Sequence, residues 1–587
     1  MSKNQTLKIR GAQVNTTVGA IAQNCKKHEQ LYKKAQKDNV DIILFPEMSV
    51  TGYPLQDLLS YPYFTTDAEN ATQNLAQTTT ADTAMILGLP RYNNAGNRFN
   101  SAAFAVNGKI AAYFDKDDLP HEDELDDERH FSKGDLTQLI EYKGFKIAVI
   151  ICHGIWRADA AQKAKALGAD VILTINASPF YGNKHFVRQE TIQKRADETG
   201  LPVYYLNSLA GQDSYIFDGT SFACNPGSSK VVGLQPSFEE SVFDMELVRN
   251  ADGTCTFAST SNQTFDMCIE EQVFKATCLG MKDYFNKTGH NKFILGLSGG
   301  MDSAMVLALL AETVNLDQVE LYYLPYKQEN PGDKEKGVKF HSSLESLDYA
   351  QKTADMYGLH LEVYPIDEIV DAAINRRQHS TAGYPVGTSM ENLQSRIRGE
   401  ELSGIANQRN EEGYRAGMIC TSTKTEALTG NFTTDGGDGI GLYAPMQDWY
   451  KGSIKEGETP NRTSVVKIAN WLNASRTEIK VLEEIINRPQ SAELEPDQTD
   501  TDILPDNSIA DAILYQFLEE RIHPREIVSD EILAVDVRRV IRRITPNHHK
   551  IDKLPKGPKV TKGAVIGVQY RMPNVNGYNF LQGVPES

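Results

Sequence analysis

Six residues, Ser298-Gly299-Gly300-Met301-Asp302-Ser303, stand between the apolar run Phe293–Leu297 and a second apolar stretch, Ala304 to Ala311. Strand, glycine turn and helix in that order build a phosphate site. Adjacent glycines let the backbone approach a ligand closely, and the hydroxyls and free N–H groups at the helix start converge on one point. Asp302 adds a carboxylate where a nucleotide's Mg²⁺ could sit. No lysine follows the glycines, so this is not the G-x-x-x-x-G-K-[ST] phosphate loop. A second reactive set lies upstream: Glu47 in Phe-Pro-Glu-Met-Ser, Lys116 in Phe-Asp-Lys-Asp-Asp-Leu-Pro, and Cys152 in Ile-Cys-His-Gly-Ile-Trp. Each closes a strand-like run, which predicts that all three meet at one sheet edge. A thiol attacks an amide once a nearby base has taken its proton, and a lysine stabilises the oxyanion that follows.

The elements that must position these groups read as two α/β regions. In the first, Val40–Phe45, Ala84–Leu89, Lys146–Ile151, Val171–Ile175 and Val203–Leu206 are strand candidates, and Asn107-Gly108 marks a hairpin. Helical patterns at Cys25–Lys37 and Ala158–Leu167 separate several of them. The small and polar stretch from Arg249 to Thr264 reads as a linker. Beyond it a helix over Cys268–Phe285 leads into the Ser298 turn, and strand-helix alternation resumes with Val319–Leu324, Leu344–Tyr357 and His360–Tyr364. This predicts a parallel sheet with helices on both faces. The Gly430–Gly441 loop and the polar insert Gly452–Ser464 read as mobile or ligand-facing.

A chain of 587 residues is too long for one ordinary domain. Its net charge of −18 argues against nucleic acid or an anionic membrane as partner, while leaving room for nucleotides bound by a local cluster of donors. The seven cysteines form no C-x-x-C pair, which speaks against a disulfide framework or a zinc site and for a reducing compartment. Met1–Arg10 has no apolar signal core, and no run is long enough to span a membrane. The expectation is a cytoplasmic enzyme of small molecules.

The glycine turn resembles the pyrophosphate loop of the ATP pyrophosphatases, and further segments resemble the NAD synthetase family. They are His341–Ala350, Glu391–Arg398, Thr421–Glu426, Phe432–Asp438, Lys451, Arg488–Leu494 with Pro496–Gln498, and Lys556–Val560. The resemblance covers residues 268 to 573. Departures are Thr421-Ser422-Thr423 for T-G-N, and a Gly- and Asp-rich loop in which Gly436 replaces a tyrosine. Upstream, over residues 5 to 250, the Glu47-Lys116-Cys152 set resembles the nitrilase triad. Asn176–Phe180, Lys184, Arg188, Gly211–Asp213 and Phe217–Gly219 match the glutaminase domain of the glutamine-dependent members.

The resemblance implies an α/β fold in which a nitrilase-like α-β-β-α sandwich (1–250) and a linker (251–267) precede a doubly wound parallel-sheet ATP pyrophosphatase domain (268–587) of the adenine nucleotide alpha hydrolase type. It implies ATP-dependent amidation of deamido-NAD to NAD through an acyl-adenylate, with ammonia made from glutamine at Cys152 and passed along a protected channel. It assigns Ser298, Gly299, Gly300, Asp302, Ser303, Arg398, Thr421, Lys451 and Ser491 to ATP, Asp302 and Glu426 to Mg²⁺, and Asn392 and Asp438 to deamido-NAD. Ser178, Lys184 and Glu122 are assigned to glutamine. It also implies a homo-oligomer, dimeric through the synthetase domain or octameric. Two alternatives stay open: an ammonia-dependent enzyme whose first domain is a scaffold with impaired glutaminase activity, and an amidating ligase of nicotinic acid mononucleotide. The first has a motive in the sequence. The family commonly has Cys-Glu-Asp where this chain has Cys152-His153-Gly154, and the missing acid is expected to hold the α-amino group of glutamine. Glu122, Asp123, Glu124 and Asp127 are the candidates to replace it.

Overall fold

The computed structural model describes residues 5–120, 125–258, 265–333, 335–380, 383, 385–452, 464–488, 494–495, 503–563, 570 and 572–586. It divides into two units, Met1–Met267 and Cys268–Ser587. In chain order the first contains β1 (Thr6–Gln13), α1 (Ile21–Lys37), β2 (Ile42–Leu44), α2 (Pro62–Gln77), β3 (Ala84–Tyr92), β4 (Arg98–Val106), β5 (Lys109–Asp115), α3 (Asp127–His130), β6 (Ile140–Tyr142), β7 (Phe145–Ile151), α4 (Ala158–Ala166), β8 (Val171–Asn176), α5 (Lys184–Thr199), β9 (Val203–Asn207), β10 (Leu209–Gln212), β11 (Tyr215–Asp218), β12 (Phe222–Cys224), β13 (Ser241–Arg249) and β14 (Cys255–Phe257).

Two mixed sheets, ordered β14-β13-β1-β2-β3-β4-β5 and β12-β9-β8-β7-β6, make up its body. Alternate residues of the first sheet divide between two cores, because successive strand side chains face opposite ways. Leu7, Ile9, Ile42, Leu44, Ile86 and Phe104 meet Ile147, Val149, Leu173 and Tyr204 between the sheets. Ala12, Ile43, Met85, Leu87 and Ala103 instead pack with Tyr32, Ala35, Ala68 and Leu75 of α1 and α2. Ala160 and Ala164 of α4 and Ile192 and Ala196 of α5 close the second sheet. The result is the expected α-β-β-α sandwich. Strand β8 is buried throughout, which is why its sequence Val-Ile-Leu-Thr-Ile-Asn shows no alternation. Asn107 and Gly108 both have positive φ, 51° and 76°, as a two-residue hairpin turn requires.

The linker expectation needs correction over part of its length. Cys255–Phe257 pair with β13, in register Leu247↔Phe257, and Cys255 and Phe257 are buried while Thr256 is not. Residues 250–254 are polar because they turn this hairpin, with Asn250 N–H and carbonyl facing Thr254 and Gly253.

The second unit contains α6 (Ile269–Thr288), β15 (Lys292–Gly296), α7 (Met301–Thr313), β16 (Val319–Tyr323), α8 (Leu344–Met356), β17 (Leu361–Val363), α9 (Asp367–Gln378), α10 (Thr388–Glu411), β18 (Ala416–Met418), α11 (Lys424–Thr429), α12 (Val465–Ser475), α13 (Glu483–Asn487), α14 (Asn507–Leu518), α15 (Pro524–Ile527) and α16 (Ala534–Asn547). Among the described residues its four strands are parallel, in the order β17-β16-β15-β18. Ile294 and Tyr322 face Val370, Met390, Leu393 and Leu402 of α9 and α10. Phe293 faces the other way, its ring 4.4 Å from Phe285 of α6. The order reverses between β15 and β18, so the loops after these two strands open a crevice at the carboxyl edge, where doubly wound sheets bind ligands. Among the described residues no helix is long and apolar enough to cross a membrane.

A buried ionic network fastens the C-terminal segment to this unit. Lys424 Nζ, fully buried, lies 2.9 Å from Asp448 and 2.8 Å from Glu519, and it donates to Thr561 Oγ1 at 3.0 Å. Asp448 in turn accepts the backbone N–H groups of Val560 and Thr561 at 2.8 and 2.7 Å. Removing one partner strands a buried charge, which costs far more than an exposed pair. Asp448→Ala is therefore expected to destabilise the second unit by about 3–5 kcal/mol and to open the segment around Val560 to limited proteolysis. A urea unfolding midpoint equal to that of the unaltered protein would show the network to be dispensable.

Candidate active sites

In the first unit Glu47, Lys116 and Cys152 do meet, but not at the edge of one sheet. Glu47 follows β2 and Lys116 follows β5 in the seven-stranded sheet, whereas Cys152 follows β7 in the facing sheet. Periodicity identifies strands without saying to which sheet each belongs, and this is why the expectation was too simple. The turn that carries Glu47 lies against Gly88, where an added Cβ would sit 2.3 Å from Met48 N and 2.8 Å from the Glu47 carbonyl carbon. Only glycine leaves room for that approach. Cys152 has φ 44°, in the left-handed region, at the sharp step from strand to 3₁₀ turn.

All three side chains are buried. Lys116 Nζ donates to Glu47 Oε1 at 2.8 Å and to Asp127 Oδ2 at 2.5 Å. Asn100 Nδ2 also donates to Glu47 Oε1, at 2.7 Å, and Ala177 N–H donates to Oε2 at 2.8 Å. Burial alone would depress the Lys116 ammonium, but Asp127 and Glu47 outweigh it and hold the group well above its ordinary range. Burial, followed by the Glu47 charge, pushes the Cys152 thiol up to about 12, with Lys116 acting in the opposite direction. The resting arrangement is a neutral thiol, a carboxylate and a fixed cation. This is the set needed to take a proton from sulfur and to hold an oxyanion.

Asp127 was expected as a possible partner for an amino group. It is instead engaged with Lys116 and with the Tyr53 hydroxyl, 3.0 Å away. The acid beside His153 is Asp118, which the sequence reading passed over. His153 Nδ1 lies 2.8 Å and Arg157 Nε 2.9 Å from Asp118 Oδ2. A carboxylate only accepts, so Nδ1 carries the hydrogen and, in the neutral ring, Nε2 keeps its lone pair. Ser178 follows β8, its N–H donating to Asn207 and its hydroxyl accepting from Arg188 Nε at 3.3 Å. Arg188 is itself fully buried and paired with Asp218 at 2.8 Å. Lys184 begins α5 with Nζ 4.9 Å from the Tyr181 ring. Glu122, with Asp123 and Glu124, lies outside the described residues.

In the second unit the crevice holds a cavity of about 250 Å³, lined by the Ser298–Ser303 loop and by Arg398, Thr421, Glu426, Asp438, Lys451 and Arg488. The loop closes on itself. Ser298 and Ser303 hydroxyls are 3.2 Å apart, and Gly300 N–H donates to Ser298 Oγ at 3.3 Å. Gly299 has φ 78°, and a Cβ there would meet Ser346 O at 2.1 Å, so the loop is pressed on the start of α8. Lys451 Nζ lies 2.7 Å from Glu426 Oε1 and 3.2 Å from Asp302 Oδ2. The second oxygen of Glu426 caps its own helix through Thr423. Arg398 Nε donates to Leu324 O at 2.9 Å, and Arg488 Nη1 to Ser346 Oγ at 2.8 Å. Arg488, quoted in the sequence only as part of a motif, thus joins the lining.

The Asp438 carboxyl, half-buried, lines the cavity and accepts from Ser395 Oγ at 2.8 Å; desolvation raises it above the ordinary carboxylate range. The loop bearing it is packed on α10, with Gly437 N–H donating to Ser395 O. Asn392 is not among the lining groups and accepts from Thr433 Oγ1 at 2.8 Å. Ser491 lies outside the described residues. Among the described residues no three metal-ligating side chains cluster. Asp302 and Glu426 nevertheless converge on one cation, the Lys451 ammonium. One or two carboxylates, completed by phosphate oxygens, suffice for Mg²⁺ in nucleotide sites, so these residues fit such an ion.

Comparison with known proteins agrees with both halves of this geometry. Residues 8–251 match the carbon-nitrogen hydrolase family, and residues 273–554 match the NAD synthase family. The chain is 33% identical to the glutamine-dependent NAD(+) synthetase of Rhodobacter capsulatus, over 97% of this chain and 98% of that one. It is 31% identical to that of Acinetobacter baylyi, over 98% and 99%. A glutamine-dependent NAD+ synthetase from Acinetobacter baumannii, solved in complex with adenosine diphosphate, superposes with a TM-score of 0.73 at 28% identity, covering 98% of this chain and 99% of the other. With relatives aligned from end to end and a two-site architecture in common, the chain belongs to the glutamine-dependent NAD(+) synthetase family.

Proposed function

We propose that this enzyme hydrolyses glutamine at Cys152 and uses the ammonia to convert deamido-NAD to NAD at the expense of ATP, in the cytoplasm and as a homo-oligomer. The observation that carries the reading is the coexistence of a complete Glu47-Lys116-Cys152 set in one unit and a phosphate-shaped crevice in the other. It also disfavours a scaffold role for the first unit, since a scaffold has no need of three buried, mutually compensated reactive groups.

The first reaction follows from the charges. Oε1 of Glu47 accepts from two donors, Lys116 and Asn100, whereas Oε2 accepts the Ala177 N–H and keeps a lone pair, so Oε2 takes the thiol proton. The sulfur attacks the glutamine amide carbon, and the Lys116 ammonium faces the developing oxyanion. Two carboxylates keep Lys116 protonated, so it donates and does not act as the base. Ammonia leaves with the proton returned by Glu47, and the same carboxylate then activates water against the thioester. Ser178 and Lys184 belong to the glutamine pocket. His153, oriented by Asp118, offers Nε2 of its Nδ1–H tautomer to the α-ammonium group, in the place where the family commonly has a carboxylate.

In the second reaction the deamido-NAD carboxylate attacks the α-phosphate of ATP. Ser298, Gly299, Gly300 and Ser303 hold the departing pyrophosphate at the start of α7, while Lys451, Arg398 and Arg488 neutralise phosphate charge. Thr421 faces the adenylate. Asp302 and Glu426 would hold Mg²⁺, which supplies charge neutralisation on the phosphates. Asp438 shapes the dinucleotide end of the cavity, and Asn392 supports it through Thr433.

Asp302→Ala is expected to abolish NAD formation with either nitrogen source, a loss of at least about a hundredfold for a metal carboxylate. Near-normal synthesis from ammonium would refute the ATP-site assignment. Cys152→Ala should remove glutamine-dependent synthesis while ammonium-dependent synthesis continues; a joint fall of both would make Cys152 structural. His153→Glu sets a second carboxylate against Asp118. Like charges in contact repel, so the glutamine KM should rise, by about tenfold for the loss of one charge-assisted contact, with ammonium kinetics unchanged. A lower KM in this variant would mean that an acid is missing from the pocket after all.

A further inference from the structure

Glu426 and Lys451 arrive at the crevice from separate segments, and one carboxylate that touches neither side chain ties both segments together. Asp511, fully buried in α14, accepts from Thr425 Oγ1 at 2.5 Å on one oxygen and from Gly452 N–H at 2.7 Å on the other. Thr425 Oγ1 in turn accepts the Lys451 N–H at 3.0 Å. The residue before Glu426 and the residue after Lys451 therefore hang on the two oxygens of a single side chain. Gly452 lies flat on the first turn of α14, where a Cβ would stand 2.5 Å from Asn507 C and 2.6 Å from Ser508 N.

We propose that Asp511, acting through Thr425, is a positioning residue of the ATP site. It sets the register of the Glu426–Lys451 pair so that carboxylate and ammonium face one phosphate position. The proposal rests on the reading of this cavity as the Mg·ATP site. The hydrogen-bond directions require an aspartate. The Thr425 oxygen receives the Lys451 N–H, so its only hydrogen goes to Asp511, and Gly452 N–H needs an acceptor as well. An asparagine offers one acceptor and one donor, and so opposes one of these two donors with another.

The test uses the full-length protein and three variants, Asp511→Asn, Thr425→Val and Thr425→Ser. Mg·ATP binding is measured by calorimetry, and NAD formation from ammonium is followed across Mg²⁺ and ATP concentrations. Asp511→Asn and Thr425→Val should each weaken Mg·ATP binding about tenfold, the scale of one well-made buried hydrogen bond. Both should raise the Mg²⁺ needed for half-maximal rate, while Thr425→Ser, which keeps the hydroxyl, stays within about twofold of the unaltered protein. Should Asp511→Asn not fold, Thr425→Val, which leaves Asp511 with the Gly452 N–H, decides by comparison with Thr425→Ser. Variants that bind as the unaltered protein does, or whose loss merely tracks the unfolded fraction in a thermal melt, overturn the positioning role. An unaltered protein that binds no Mg·ATP overturns the reading of the cavity and this proposal with it.

Discussion

A protonated lysine with no access to water needs carboxylates close by, and in this protein that requirement organises the whole first unit. Lys116 is 1% exposed and has Glu47 and Asp127 within 2.8 Å. Without them the desolvation of an ammonium would cost several kcal/mol. Satisfying the cation brings the end of β2, the end of β5 and the short helix α3 to one point. The facing sheet supplies the sulfur and the Ala177 N–H that holds the second oxygen of Glu47. The same contacts bear on the protonation of the site, since Oε1 of Glu47 accepts from both Lys116 and Asn100 while Oε2 accepts the Ala177 N–H and keeps a second lone pair.

The second unit solves the inverse problem. Its ligands are anions, and it gathers donors. Strand order reverses between β15 and β18, and the glycine loop and the Thr421–Glu426 segment follow those two strands into one crevice. Lys451 stands between Asp302 and Glu426, and Arg398 and Arg488 join it in the lining. Glu426 divides its two oxygens between its own helix cap and the lysine. Lining of the crevice and local helix formation therefore share one side chain.

Much of this was legible in the chain. Long apolar runs such as Val171–Asn176 declare strands, and Asn107-Gly108 declares its turn through the φ values it must adopt. Glu47, Lys116, Cys152 and the Ser298 loop were legible because their chemistry is rare outside sites and their spacing follows strand ends. The pairing of strands into two sheets was not, since period-two alternation is the same in either sheet. Cys255–Phe257 escaped notice because three residues are too few for a pattern to emerge. Asp118 looked like surface charge in an acidic stretch and Asp127 like a partner for an amino group, and only the fold shows one on His153 and the other on Lys116. Asp511 sits in the apolar helix Asn-Ser-Ile-Ala-Asp-Ala-Ile-Leu, where its partners, Thr425 and Gly452, are more than fifty residues away in sequence.

The neutral resting state of Cys152 reaches beyond catalysis. Peroxides and soft electrophiles react with thiolates, and burial together with Glu47 keeps this sulfur protonated up to about 12. An exposed low-pKa nucleophile would be lost steadily to sulfenic and sulfinic acids in an aerobic cell. Here the sulfur proposed as nucleophile is buried and protonated, so the carboxylate proposed as its base also shields it from oxidation.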